Sequence, residues 1–157
     1  MVDYPGFNYK SMENLQAFSQ VGSPDVVTFG IQFEESRSPA ELLAYKLDWY
    51  GKQTVPHKAS ASGLLEFETK ATSTSPFENN DVFAAEIGEE VVLDCSPNRA
   101  KESPRCQMNF EWKGFLVTAG FSRERLPAWK NIKEKITKKL NCWQKNTNLN
   151  GECSAER

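Results

Sequence analysis

The stretch "CQMNFEWKGFLVTAGFSRERLPAWKNIKEKITKKLNCW", residues 106–143, changes its hydrophobic period once, and that change decides the fold class. Up to Ser122 the period is two. Met108, Phe110 and Trp112 alternate with polar neighbours, then Phe115, Val117, Ala119 and Phe121 do the same. Lys113-Gly114 between them has the chemistry of a tight turn, so the segment predicts a β-hairpin. After Ser122 the period becomes that of a helix. Trp129, Ile132, Ile136 and Leu140 fall on one stripe, and Pro127 suits a first helical turn. Each stripe residue, once buried, contributes about 1.5–3 kcal/mol, so the helix must dock on the sheet. Lys130, Lys133, Lys135, Lys138 and Lys139 cover its other sides and read as a solvated surface.

Working outward, the segments before the hairpin also alternate. Val27, Phe29, Ile31 and Phe33 share one side of a predicted strand over 26–35. Leu65, Phe67 and Thr69 stand opposite Glu66, Glu68 and Lys70 in another. "DVFAAEIGEEVVLDC", residues 81–95, reads as two strands around Gly88. Residues 38–50, "SPAELLAYKLDWY", carry two conflicting signals. Ser38 and Glu41 make a capping box with Pro39 behind the cap, which signals a helix start. Leu43, Tyr45, Leu47 and Trp49 alternate, which signals a strand, and the expectation is a strand over 42–50. The expected architecture is α+β: an antiparallel, meander-like sheet with a C-terminal helix packed on it, in one domain over 1–143, followed by a polar tail over 144–157.

The chain of 157 residues is 39% hydrophobic and 25% charged, which suits a domain with a real core and excludes a disordered or membrane-spanning chain. Net charge is −2, unevenly spread. Residues 1–95 hold 15 acidic and 6 basic residues; residues 96–157 hold 13 basic and 6 acidic. An acidic portion of this kind can steer a basic protein partner. The lysine-rich helix lacks interleaved exposed aromatics and the pI is acidic, so nucleic acid is not an expected partner.

Four cysteines, Cys95, Cys106, Cys142 and Cys153, stand in pairs 11 apart. Zinc sites draw on closely spaced ligand pairs, and the single histidine, His57, is remote in a loop, so no metal or cofactor is expected. A redox pair would use C-x-x-C. Staples fit best: Cys95 ends one strand and Cys106 opens the next across the polar loop "SPNRAKESPR". Of three possible connectivities, 95–106 with 142–153 is favoured. Disulfides belong to oxidising compartments, so periplasm or secretion is expected. "MVDYPGFNYK" has neither a basic nor an apolar signal region, so the chain is expected to be a mature segment behind an added Met1.

Catalytic signatures do not assemble. There is no G-x-S-x-G elbow, P-loop, H-E-x-x-H or EF-hand. The glutamate pairs Glu34/Glu35, Glu66/Glu68 and Glu89/Glu90 sit where strands and turns meet solvent. A binding protein without catalysis or a small-molecule substrate is therefore expected. Its surface is expected on the long loops 35–41, 51–62 and 73–81, with Glu34, Glu35, Glu89 and Glu90 supplying charge and Tyr50 and Phe77 the aromatic anchors.

From Asp81 to Trp143 the chain resembles small bacterial envelope proteins associated with type VI secretion, a group interpreted as immunity proteins. The pattern is "DVF", then "VVLDC…PRC", then "FEWKGFLVTAGFSRERLPAWKNI". The resemblance implies a periplasmic protein that neutralises a cognate toxin, a secreted antibacterial effector, by occluding it. It also implies an export signal on the precursor, with peripheral membrane anchoring of that precursor compatible. The competing reading is a structural or accessory envelope protein, such as an effector-loading adaptor or an assembly subunit. A hydrolase built on a carboxylate pair is a third and weaker one.

Overall fold

A computed structural model describes residues 2–3, 26–32, 38–60, 62–71, 80–85, 90–97 and 104–145. Eight strands form one sheet among them: β1 Val2–Asp3, β2 Val26–Gln32, β3 Lys58–Ala59, β4 Leu64–Phe67, β5 Asp81–Ala85, β6 Val91–Cys95, β7 Arg105–Trp112 and β8 Phe115–Ser122. Every pairing is antiparallel, and the order across the sheet is β1-β2-β8-β7-β6-β5-β4-β3. Strands β3 to β8 therefore form a continuous meander, as the alternating segments predict. Strand β2 closes onto β8, so the chain must cross from one edge to the other between β2 and β3. Helix α1, Pro39–Trp49, lies in that crossing, and helix α2, Trp129–Lys145, follows β8.

The hairpin β7–β8 is built as its sequence dictates. Lys113 and Gly114 both take positive φ, 52° and 83°, the two-residue turn whose twist matches the strands. Side chains then alternate cleanly. On one face Phe29, Phe83, Leu93, Met108, Phe110, Val117 and Phe121 meet Trp129, Ile132, Ile136 and Leu140 of α2. Trp129 is fully buried, and its indole N–H donates to the carbonyl of Ser62 at 3.0 Å, so the largest core side chain leaves no orphan donor. Pro127 lies in a 3₁₀ turn, Arg123–Ala128, one turn ahead of the α-helix it was expected to open. Two lysine ammonium groups lie over core rings: Lys130 Nζ 5.4 Å from the Trp129 centroid and Lys133 Nζ 5.9 Å from that of Phe110.

Cys95 and Cys106 are bonded, and both are buried in this face. They are direct cross-strand neighbours with Cα atoms 4.0 Å apart. One position outward, the Ser96 N–H donates to the Arg105 carbonyl at 2.9 Å and the Arg105 N–H to the Ser96 hydroxyl at 2.9 Å. Arg123 secures the same end, donating to the Ser96 carbonyl at 2.6 Å and pairing with Asp81 at 2.6 Å. The strands are thus tied at the mouth of the polar loop. Cys142 is disulfide-bonded as well, while Cys153 lies outside the described residues.

Residues 42–49 are helical, within Pro39–Trp49 with Tyr50 as the C-cap, a correction to the strand expected over 42–50. The capping box forms, with the Ser38 hydroxyl accepting from the Glu41 N–H at 3.3 Å and the Glu41 carboxylate accepting from the Ser38 N–H at 2.8 Å. Leu43, Lys46, Leu47 and Tyr50 turn toward the sheet at helical spacing. Tyr45 and Trp49 stack on each other, one turn apart, on the outer side, at 44% and 48% exposure. The alternation was a coincidence of two helical stripes, and local capping outweighed it. Among the described residues no helix is long and apolar enough to cross a membrane.

Candidate functional site

The second face of the sheet changes character halfway across. One row of directly paired positions runs Thr28, Gly120, Gln107, Asp94, Val82, Phe67 from β2 to β4. The next runs Gly30, Thr118, Asn109, Val92, Ala84, Leu65. Both begin polar or bare and end apolar. Helix α1 packs on β5, β6 and β7, where Leu43, Leu47 and Tyr50 cover Leu65, Phe67, Val82 and Ala84. Among the described residues no element covers the β2–β8 half.

A buried polar anchor marks the boundary. The Lys46 ammonium of α1 forms an ion pair with Asp94 of β6, both side chains about nine-tenths buried. The Tyr50 hydroxyl donates to the other carboxylate oxygen of Asp94 at 3.0 Å. Burial, reinforced by the Asp94 charge, pushes the Tyr50 phenol up to about 12. With both Asp94 oxygens engaged, α1 is held in one register on the sheet. Asn109 sits further in, its Oδ1 accepting from the Thr118 hydroxyl at 3.0 Å; its Nδ2 has no hydrogen-bond partner among the described residues.

Beyond this anchor lies an open groove of about 620 Å³, lined among others by Thr28, Gly30, Gln32, Arg105, Gln107 and Thr118. Two glycines shape it in different ways. A Cβ on Gly120 would come within 2.9 Å of the Thr28 hydroxyl, which instead donates to the Gly120 carbonyl at 3.3 Å. A Cβ on Gly30 would meet nothing within 4 Å, so Gly30 is a bare place on the floor. The Arg105 guanidinium lies over Gly120, its Nη2 3.9 Å from that same Cβ position. Among the described residues no carboxylate pairs with Arg105. The groove thus offers neutral hydrogen-bonding groups, a bare floor and one half-buried cation, an arrangement suited to holding a polar surface feature of another molecule. Among the described residues no cluster of three or more His, Cys, Asp or Glu could hold a metal ion.

Of the residues expected to bind a partner, Tyr50 and Glu90 lie among the described residues. Tyr50 closes the end of the α1 core and holds Asp94. Glu90 is exposed immediately before β6. Glu34, Glu35, Phe77 and Glu89 lie outside the described residues. The segment 51–62 is less loop-like than expected: Lys52 is buried, its ammonium donating to the Thr69 hydroxyl at 2.8 Å, and Lys58–Ala59 pairs with β4. His57 is exposed, 3.2 Å from Glu68. Sequence reasoning missed Lys46, Asp94 and Arg105. The detectable signal was an acid, Asp94, inside the apolar strand "VVLDC", together with glycines at core-sheet positions 30 and 120.

No protein-family model matches the chain, and comparison with curated proteins gives no match. Among solved structures it is similar in fold to an immunity protein of the Stenotrophomonas maltophilia type IV secretion system, with a TM-score of 0.62 at 12% identity over 89% of this chain and 78% of that one.

Proposed function

We propose that this chain is a non-catalytic immunity protein, which neutralises a cognate secreted toxin by binding and occluding it. The observation that carries the reading is the fold shared over 89% of the chain with an immunity protein. A fold hosts many functions, so the site must supply the rest of the argument. Here a disulfide-tied sheet leaves, among the described residues, half of one face as a polar groove, and occlusion needs such a surface and no chemistry. The periplasm is the proposed compartment, because the buried Cys95–Cys106 bond belongs to an oxidising environment. Delivery of the toxin by type VI secretion rests on the 81–143 sequence pattern alone, whereas the structural neighbour serves a type IV system.

The test is protection. The disulfide-bonded chain, directed to the periplasm, should rescue a sensitive bacterium from the toxin encoded beside its gene. Purified, it should inhibit that toxin with a one-to-one endpoint. A folded, oxidised chain that neither binds nor protects overturns the proposal.

A further inference from the structure

From the charge left uncompensated in the groove, we infer that its occupant is an acidic side chain, an aspartate or glutamate carboxylate projecting from the toxin surface and held by Arg105. The inference rests on the immunity reading for the identity of the partner, and on the groove alone for its chemistry.

Three observations converge on it. First, of the charged groups at the groove, only Arg105 is without a counter-charge among the described residues. Asp94 is engaged by Lys46 and by Tyr50, and the neighbouring Arg123 is committed to Asp81 and the Ser96 carbonyl. Second, the guanidinium of Arg105, which lines the groove, lies over Gly120, its Nη2 in ordinary contact distance of where a Cβ would stand. An arginine fork held against a sheet matches the two oxygens of a carboxylate better than a mobile surface cation does. Third, Gly30 leaves the adjacent floor bare, and the exposed Gln107 side chain on the same groove carries an amide N–H that can donate to a carboxylate, whereas the Thr28 and Thr118 hydroxyls already donate to the Gly120 carbonyl and Asn109 Oδ1. That is room for an incoming carboxylate with one further donor beside the guanidinium. The sign is opposite to the expectation that the acidic portion of this chain steers a basic partner.

Two measurements test it. The first needs no toxin: N-acetyl-glutamate amide, at millimolar concentrations, is titrated into ¹⁵N-labelled protein at low salt. The Arg105 Nε–H resonance and the amides of residues 28–32 and 118–120 should shift saturably, and Arg105→Gln should abolish the shifts. The second uses the toxin that the protection assay identifies. Arg105→Glu should weaken the complex about 100-fold, the range for reversing one partner of a desolvated charge pair, while Arg105→Lys retains part of the affinity. Gly30→Trp should fill the floor and weaken binding comparably without unfolding the chain, since a Cβ there meets nothing. A toxin acid-to-arginine change that rescues Arg105→Glu would name the occupant. If the toxin is inhibited one-to-one while Arg105→Glu and Gly30→Trp bind normally, the inference is overturned and the immunity reading stands. If no toxin is inhibited yet the glutamate titration succeeds, the immunity reading fails and the carboxylate site survives. If inorganic phosphate shifts the same resonances at lower concentration than the glutamate amide, the carboxylate assignment is overturned.

Discussion

On one face of the sheet, helix α2 lays Trp129, Ile132, Ile136 and Leu140 against a continuous apolar surface, and the disulfide lies within that layer. On the other, α1 covers only the side nearer β4, secured by a lysine-aspartate pair, and among the described residues no element covers the side toward β2. The same strands supply both faces, because side chains alternate across a strand. The difference teaches where stability and recognition are held. The dry face works by area and packing density, which tolerate no exchange of partner. The half-covered face works by directional polar contacts at a boundary, which fix α1 and leave a groove of defined shape beside it.

If that division holds, the largest effect comes from the dry face. Trp129→Ala should cost about 3–5 kcal/mol, read by chemical denaturation, because it empties a fully buried site and also leaves the Ser62 carbonyl without its donor. Its residual folded fraction should bind a partner normally. Lost binding with an unchanged midpoint would move Trp129 from the core to the interface.

On the boundary, Lys46→Met should cost about 3 kcal/mol, at the low end for a broken interior ion pair, since it strands Asp94. Lys46→Met with Asp94→Leu should recover most of that loss, because replacing both partners by apolar groups removes the desolvation penalty. A double variant no better than the single one would show that the pair holds α1 by more than charge compensation.

Opening the Cys95–Cys106 bond, by the double change Cys95→Ala and Cys106→Ala, should cost roughly 3 kcal/mol for a loop of this size. The groove should survive in that variant, because Arg123 still ties Ser96 to Asp81. Mapping of the intact chain by non-reducing mass spectrometry should recover the 95–106 linkage, and the same map decides the partner of Cys142.

The smallest effect is a pH dependence. Tyr50 ionises near 10 when unfolded and is raised to about 12 in the fold, so the neutral phenol is the form the fold prefers. Its contribution is complete below pH 10 and is lost as pH rises from 10 toward 12. Phenolate absorbance should show one late-titrating tyrosine, absent in Tyr50→Phe, whose stability should fall less steeply over that window. A tyrosine titrating near 10 in every case would remove Tyr50 from the Asp94 anchor.

The period change after Ser122, the Lys113-Gly114 turn and the cysteines flanking a polar loop were enough to read a meander, a docked helix and a strand-to-strand staple. These are local signals: alternation, turn chemistry and stripe spacing each involve neighbours in the chain. The capping box at Ser38 and Glu41 was also legible, and weighing it above an accidental alternation would have placed α1. The groove was not legible. It exists because α1, crossing from the β2 edge to the β3 edge, covers one half of a face and not the other, and no local pattern states where a crossing helix comes to rest. Sequence alone shows Lys46, Asp94 and Arg105 as three ordinary charges spread over 60 positions of chain. Tertiary packing buries the first two against each other and leaves the third without a counter-charge among the described residues, since whether a charge is compensated depends on what the fold sets beside it.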